Sequence, residues 1–193
     1  KNISIWYAEY LNNGLDAIIS NTSGCGTTLK DYGFIFRSDQ DLKKKAKKIS
    51  ELTKDISEYL EENVKLNFIN TKETNKEYKI AYHSACSMQH GQKIHDIPIN
   101  LIKKTGNKVF DIPDGHLCCG SAGTYNLLQN NIAKKLLKSK ISNIEKINPQ
   151  FISTGNIGCI TQIAKGTKIP ILHTVEIIDW YTGGPKPKVL QKI

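Results

Sequence analysis

The stretch Gly115-His116-Leu117-Cys118-Cys119-Gly120-Ser121-Ala122-Gly123-Thr124-Tyr125 narrows the folds open to this chain more than any other. Successive side chains of a strand point to opposite faces, so two adjacent cysteines in a strand cannot serve one object. With Gly120 and Gly123 close behind them they belong in a turn, where dihedrals that other residues avoid let both sulfurs converge. Tyr125, Leu127, Leu128, Ile132, Leu136 and Leu137 follow at helical spacing. The turn is therefore expected to open a helix, whose N-terminal partial charge favours thiolates, the form that binds metals. Two readings stand: a metal or iron-sulfur site, or two buried free cysteines.

Around this turn the signals for strand and helix alternate. Ile3, Trp6, Tyr7, Tyr10 and Leu11 form a helical stripe ending at Asn12-Asn13-Gly14, and Asp16 to Ser20 is a short strand. Residues from about Asp39 to Asn63 read as one long amphipathic helix, with Leu42, Ala46, Ile49, Leu52, Ile56 and Leu60 on one face. Strands are expected at Tyr78–His83, Lys108–Ile112, Gln150–Thr154 and Pro170–Thr174. Helices are expected at Pro98–Lys104, from about Leu137 to Ile147, and at Val175–Tyr181. Such alternation indicates an α/β fold with largely parallel sheets flanked by helices.

An internal repeat adds to this. The strand Ala17-Ile18-Ile19-Ser20 leads to Gly24-Cys25, as Phe151-Ile152-Ser153 leads to Gly158-Cys159. The expectation is two tandem modules, the first truncated. Residues 1–69 hold the end of the first module and a long connecting helix, 70–77 a polar linker, 78–182 a complete second module, and 183–193 a tail. Residues 1 to about 36 are expected to fray or pack loosely. Cys86, Cys118, Cys119 and Cys159 all fall at strand ends or in glycine-bearing turns, and in a parallel sheet those ends share one edge. Four thiols distant in sequence thus converge, enough for a cluster or a tetrahedral ion.

Composition excludes several classes. The chain has 193 residues with 39% hydrophobic and 23% charged, so it can bury a core, and it holds no apolar run long enough to span a bilayer. It opens without an apolar leader, and five cysteines suit metal binding better than a disulfide framework, so a cytoplasmic setting is expected. The net charge of +9 comes almost wholly from lysine, with Arg37 the single arginine, which argues against nucleic acid as a partner. A solvated lysine face suits an acidic protein or an anionic membrane surface instead.

Cys86, then 31 residues, then Cys118-Cys119-Gly120, then a Gly-Asn-Ile-Gly-Cys turn at 155–159 resembles the cysteine-rich CCG domain, found as tandem copies in heterodisulfide reductases. Longer motifs resemble the iron-sulfur subunits of the glycolate oxidase (glycolate dehydrogenase) family. These are Ser23-Gly24-Cys25-Gly26 with Leu29-Lys30-Asp31-Tyr32-Gly33, Gln89-His90-Gly91-Gln92, Pro113 to Tyr125, Thr154 to Cys159, and His173-Thr174-Val175-Glu176. Asn156 and Thr22 stand where the general domain pattern has the first cysteine of a Cys-x-x-Cys pair. The family's ferredoxin-like segment, with its Cys-x-x-Cys runs, is not in this sequence.

The resemblance implies an electron-transfer subunit of a complex that oxidises glycolate to glyoxylate, with the substrate and FAD on a flavin-bearing partner. It implies a [4Fe-4S] cluster held by Cys86, Cys118, Cys119 and Cys159, a peripheral position on the inner membrane face being compatible. His83, His116 and Cys25 are weaker ligand candidates, His90 a rim residue and His173 a structural one. Two other readings of the cysteines are structural zinc in an interaction module and a thiol-disulfide enzyme using Cys118-Cys119.

Overall fold

The computed structural model describes residues 1–191. The first half opens with α1 (Asn2–Asn13), closed by Gly14 in the left-handed conformation that ends many helices. Then come β1 (Ile18–Ser20), α2 (Ser23–Lys30), α3 (Tyr32–Ile35), α4 (Lys43–Leu52), β2 (Thr53–Asp55) and α5 (Ile56–Asn63). β1 and β2 pair in parallel, with Ile18 opposite Thr53. Ile3, Ala46 and Ile49 form a small core with Trp6, Tyr7 and Ile18 against it.

The single helix expected over 39–63 is corrected here: β2 interrupts it. Asp55 accepts from Ser57 N–H at 2.9 Å and donates its own N–H to Glu58 Oε2 at 2.8 Å, a reciprocal cap that starts a new helix. Residues 1 to 36 are also more ordered than expected, since Ile3 is buried and α2 is seated on the second half.

The second half contains β3 (Lys79–Tyr82), a π-helical turn (Ser87–Gln92), α6 (Ile97–Lys103), β4 (Lys108–Asp111), α7 (Tyr125–Leu128), α8 (Asn130–Ile147), β5 (Phe151–Thr154), α9 (Ile157–Ala164), β6 (Ile171–His173) and α10 (Thr174–Tyr181). Its sheet runs β4-β3-β5-β6, every pair parallel. All four residues of β5 are buried, as a parallel strand covered on both faces requires. One face packs Ala81 and Ile152 against Ile141, Ile144 and Ile163; the other packs Ile80, Tyr82, Phe151 and Leu172 against Ile102, Ile177 and Trp180. Because the strands are parallel, their carboxyl ends Tyr82, Asp111, Thr154 and His173 share one edge.

The internal repeat is visible in element order and capping. β1-α2-β2-α5 matches β5-α9-β6-α10, and α10 repeats the reciprocal cap of α5. His173 Nδ1 accepts from Val175 N–H at 3.1 Å, and its own N–H reaches Glu176 Oε2 at 2.7 Å. The ring's other nitrogen donates to Asn21 O at 2.7 Å, joining the halves.

The polar run 70–77 is an ordered turn: Thr74 is buried and bonds Thr71, and Ile69 N–H donates to Tyr181 O. Of the expected tail, Lys188–Leu190 forms a 3-10 turn that buries Leu190 with Tyr78 and Phe151, while 192–193 lie outside the described residues.

Candidate metal centre

The Cys118-Cys119 segment is a loop between β4 and α7, not the mouth of a helix. Gly120 turns it with φ 91°, and a side chain there would lie 2.5 Å from Ala133 O of α8, so glycine is required on both counts. This tight turn lets Gly120 N–H donate to Cys118 Sγ at 3.3 Å. Asn143 Nδ2 of α8 holds Pro113 O at 3.0 Å and Asp114 Oδ2 at 3.2 Å, anchoring the approach to the turn.

The cysteine that does sit in a helix's first turn is Cys159. Asn156 caps α9, its Oδ1 accepting from Gly158 N–H at 2.8 Å and Cys159 N–H at 3.2 Å. Cys86 precedes the π-helical turn that follows β3, and Gln89 Nε2 bridges Ser84 O at 2.9 Å and Gly115 O at 3.3 Å, tying that turn to the Cys118-Cys119 loop.

The ligand atoms of His83, Cys119 and Cys159 lie within 4.8 Å of one another, and all three residues are buried. His83 is 1% exposed, and among the described residues neither ring nitrogen has a hydrogen-bond partner. A buried unsatisfied imidazole is costly, and a metal or cluster ligated by it removes that cost. Cys118 joins this group through Cys119, and Cys86 through Cys118. Pairing with the Cys119 and then the Cys86 thiol holds Cys118 far below the ordinary thiol range, while Cys86 and Cys119 are pushed up. Cys159 is lowered to about 5 by the facing Cys119 thiol and then by His83, against burial. The cage thus already favours thiolate at two of its cysteines, the form that metal binding needs.

The donor set of four thiols and one imidazole fits an iron-sulfur cluster or a tetrahedral ion. A cleft of about 270 Å³, lined by His83, Ser84, Gln89, His95, Asp111 and His116, leads from solvent toward the cage.

Residues 80–164 match the family model described as the cysteine-rich CCG domain. This span holds His83, the four clustered cysteines and the capping Asn156. Residues 80–164 form a CCG domain. Over 179 residues the chain is 35% identical to the glycolate oxidase iron-sulfur subunit of Escherichia coli (strain K12), covering 93% of this chain and 43% of that protein. It is 24% identical over 170 residues to lactate utilization protein A of Geobacillus sp. (strain WCH70), covering 85% of this chain and 70% of that one. The chain therefore spans less than half the length of the glycolate oxidase subunit it matches.

Of the candidates named from sequence, Cys86, Cys118, Cys119, Cys159 and His83 come together at the CCG domain's sheet edge. Cys25 is exposed on α2, and His116 is exposed on the cleft rim, outside the 4.8 Å group. Sequence reasoning gives no role of their own to Ser23, Ser87 and Lys140. The hydroxyls of Ser23 and Ser87 leave no signal in sequence, but Lys140 is a lysine in the apolar stripe of α8, which is legible.

Proposed function

We propose that this chain is an iron-sulfur electron-transfer part of a glycolate-oxidising complex, with His83, Cys86, Cys118, Cys119 and Cys159 as the residues that hold its cluster. The observation carrying this is the close approach of His83, Cys119 and Cys159, with an imidazole that has no other partner. The similarity to a subunit named for both glycolate oxidase and iron-sulfur supports the same reading. A bound [4Fe-4S] cluster supplies reversible one-electron exchange.

The chain's own residues place the ligands. The CCG turn presents two adjacent sulfurs, the α9 cap fixes Cys159, and the core around Ala81, Ile152 and Ile163 encloses Cys119 and Cys159. Oxidation of glycolate to glyoxylate, and the FAD it uses, belong to a flavin-bearing partner. The lysine-rich surface suits docking on that partner's acidic groups in the cytoplasm, with the anionic inner membrane face as a second such surface. Among the described residues no helix is long and apolar enough to cross a membrane.

Iron and acid-labile sulfide analysis with EPR on anaerobically purified chain, beside Cys119→Ser, tests this. Iron with sulfide, lost in the variant, is the expected result. A second reading follows from the imidazole in the donor set: thiolates plus one histidine also suit structural zinc in an interaction module. Colourless protein retaining zinc would replace the first reading with the second.

A further inference from the structure

Lys140 lies in the core-facing stripe of α8 beside Ala133, Ile141, Ile144 and Ile147, a position for an aliphatic residue. Only 2% of it is exposed. Its Nζ donates to the carbonyl of Asp114 at 3.1 Å, and it takes part in none of the ion pairs among the described residues. Burial lowers its ammonium from the ordinary lysine range. Around it α8 packs directly on the cage: Ile141 and Ile144 share one core with Cys119 and Cys159, and Ala133 O lies against Gly120 just behind the two adjacent sulfurs.

A buried ammonium without an anion carries a heavy desolvation penalty. Anchoring the loop does not account for it, because Asn143, one turn further along α8, already holds Pro113 O and Asp114 Oδ2. A neutral donor would serve a carbonyl as well. We propose that Lys140 is the counter-cation of the metal centre: a positioning residue behind the CCG turn whose charge offsets that of the thiolate-bound group and raises its reduction potential. The inference rests on the iron-sulfur reading above. A fixed positive charge near the centre favours the state with one more electron, so its removal makes reduction harder.

The test compares wild type, Lys140→Gln and Lys140→Arg, each as the full chain reconstituted anaerobically with iron and sulfide. Cluster content and EPR-monitored reductive titration are the readouts. Glutamine keeps a donor for Asp114 O and removes the charge; arginine keeps the charge. The expected result is a midpoint shifted to more negative potential in Lys140→Gln and restored toward wild type in Lys140→Arg. Loss of cluster in Lys140→Gln with retention in Lys140→Arg supports the proposal equally. An unchanged midpoint in Lys140→Gln overturns it while leaving the cluster reading intact, as does loss of cluster in both variants, which marks a role of shape. A wild-type chain that loads no cluster overturns the underlying reading and this inference with it.

Discussion

Asn156 Nδ2 donates to Ser23 Oγ at 2.8 Å, joining residues 133 positions apart, while the same side chain's Oδ1 caps α9 beside Cys159. Ser23 Oγ in turn meets Ser87 Oγ at 2.7 Å, next to Cys86. Ser23 N–H donates to Gly155 O, and Gln92 Nε2 donates to Ser23 O at 2.9 Å. The start of α2 is therefore built into the wall of the cage, between the segments that carry Cys86 and Cys159. This explains how asparagine serves at a position where the general CCG pattern has a cysteine: it organises the helix start instead of supplying a sulfur.

Removing that side chain takes away a helix cap and a link between halves together. Asn156→Ala is expected to lower stability by about 1–2 kcal/mol in urea unfolding, the usual loss of a good cap with its partner left unpaired. Asn156→Asp keeps the cap acceptor but not the donor to Ser23, and should recover most of the stability. An alanine variant as stable as wild type would show that the cap is dispensable.

Replacing His83 is expected to have opposite effects with and without metal. In chelator-treated protein, His83→Leu replaces a buried imidazole lacking partners by an apolar group of similar bulk. Stability should rise by about 1 kcal/mol or more, the scale of one relieved unsatisfied polar group. Metal retention should fall in the same variant. Differential scanning calorimetry with and without chelator measures both; destabilisation in the metal-free state would mean that the ring is held by contacts rather than awaiting a ligand.

Asp55 gives a pH signature. It is 1% exposed, and burial raises its pKa despite the Ser57 bonds that lower it. A raised folded-state value means that the folded chain prefers the protonated carboxyl. Its contribution is fully present below the unfolded value near 3.8 and is lost as pH rises through the folded value. Asp55→Asn retains a good cap and removes the titration. Urea unfolding from pH 4 to pH 7 should show the variant gaining on wild type as pH rises; a constant difference between the two would exclude Asp55 as the source.

The placement of the candidate cysteines was legible because glycine-bearing turns and strand-end cysteines are local signals that parallel topology then gathers. Cys86, Cys118, Cys119 and Cys159 needed only the correct sheet direction to be placed together. The missed elements depended on other information. β2 is three residues long, and the apolar spacing of Leu52, Ile56 and Leu60 continues across it, so periodicity alone joined two helices. The Asp55-x-x-Glu58 cap was the readable sign of the break. The helix expected after the turn and the one expected from about Leu137 are divided elsewhere: the break falls at Gln129, and α8 runs unbroken from Asn130 to Ile147, through the position where two helices were expected to meet. Ser23 and Ser87 meet only through tertiary contact across 64 positions, which no pattern in one sequence announces.

The CCG turn itself supplies the last prediction. Gly120 and Gly123 both have positive φ, at 91° and 62°, but they differ in surroundings. A Cβ at Gly120 meets the backbone oxygen of Ala133 at 2.5 Å, whereas one at Gly123 meets nothing within 4 Å. Both alanine variants carry backbone strain of about 1 kcal/mol, and Gly120→Ala must also push the loop off α8, for a total of order 2–3 kcal/mol. The displacement moves the N–H that donates to Cys118 Sγ and the two sulfurs with it. Gly120→Ala is therefore expected to lose metal uptake even where circular dichroism shows a folded chain, while Gly123→Ala binds nearly as wild type does. Equal uptake by the two variants would show that the turn's conformation, and not its contact with α8, positions the cysteines.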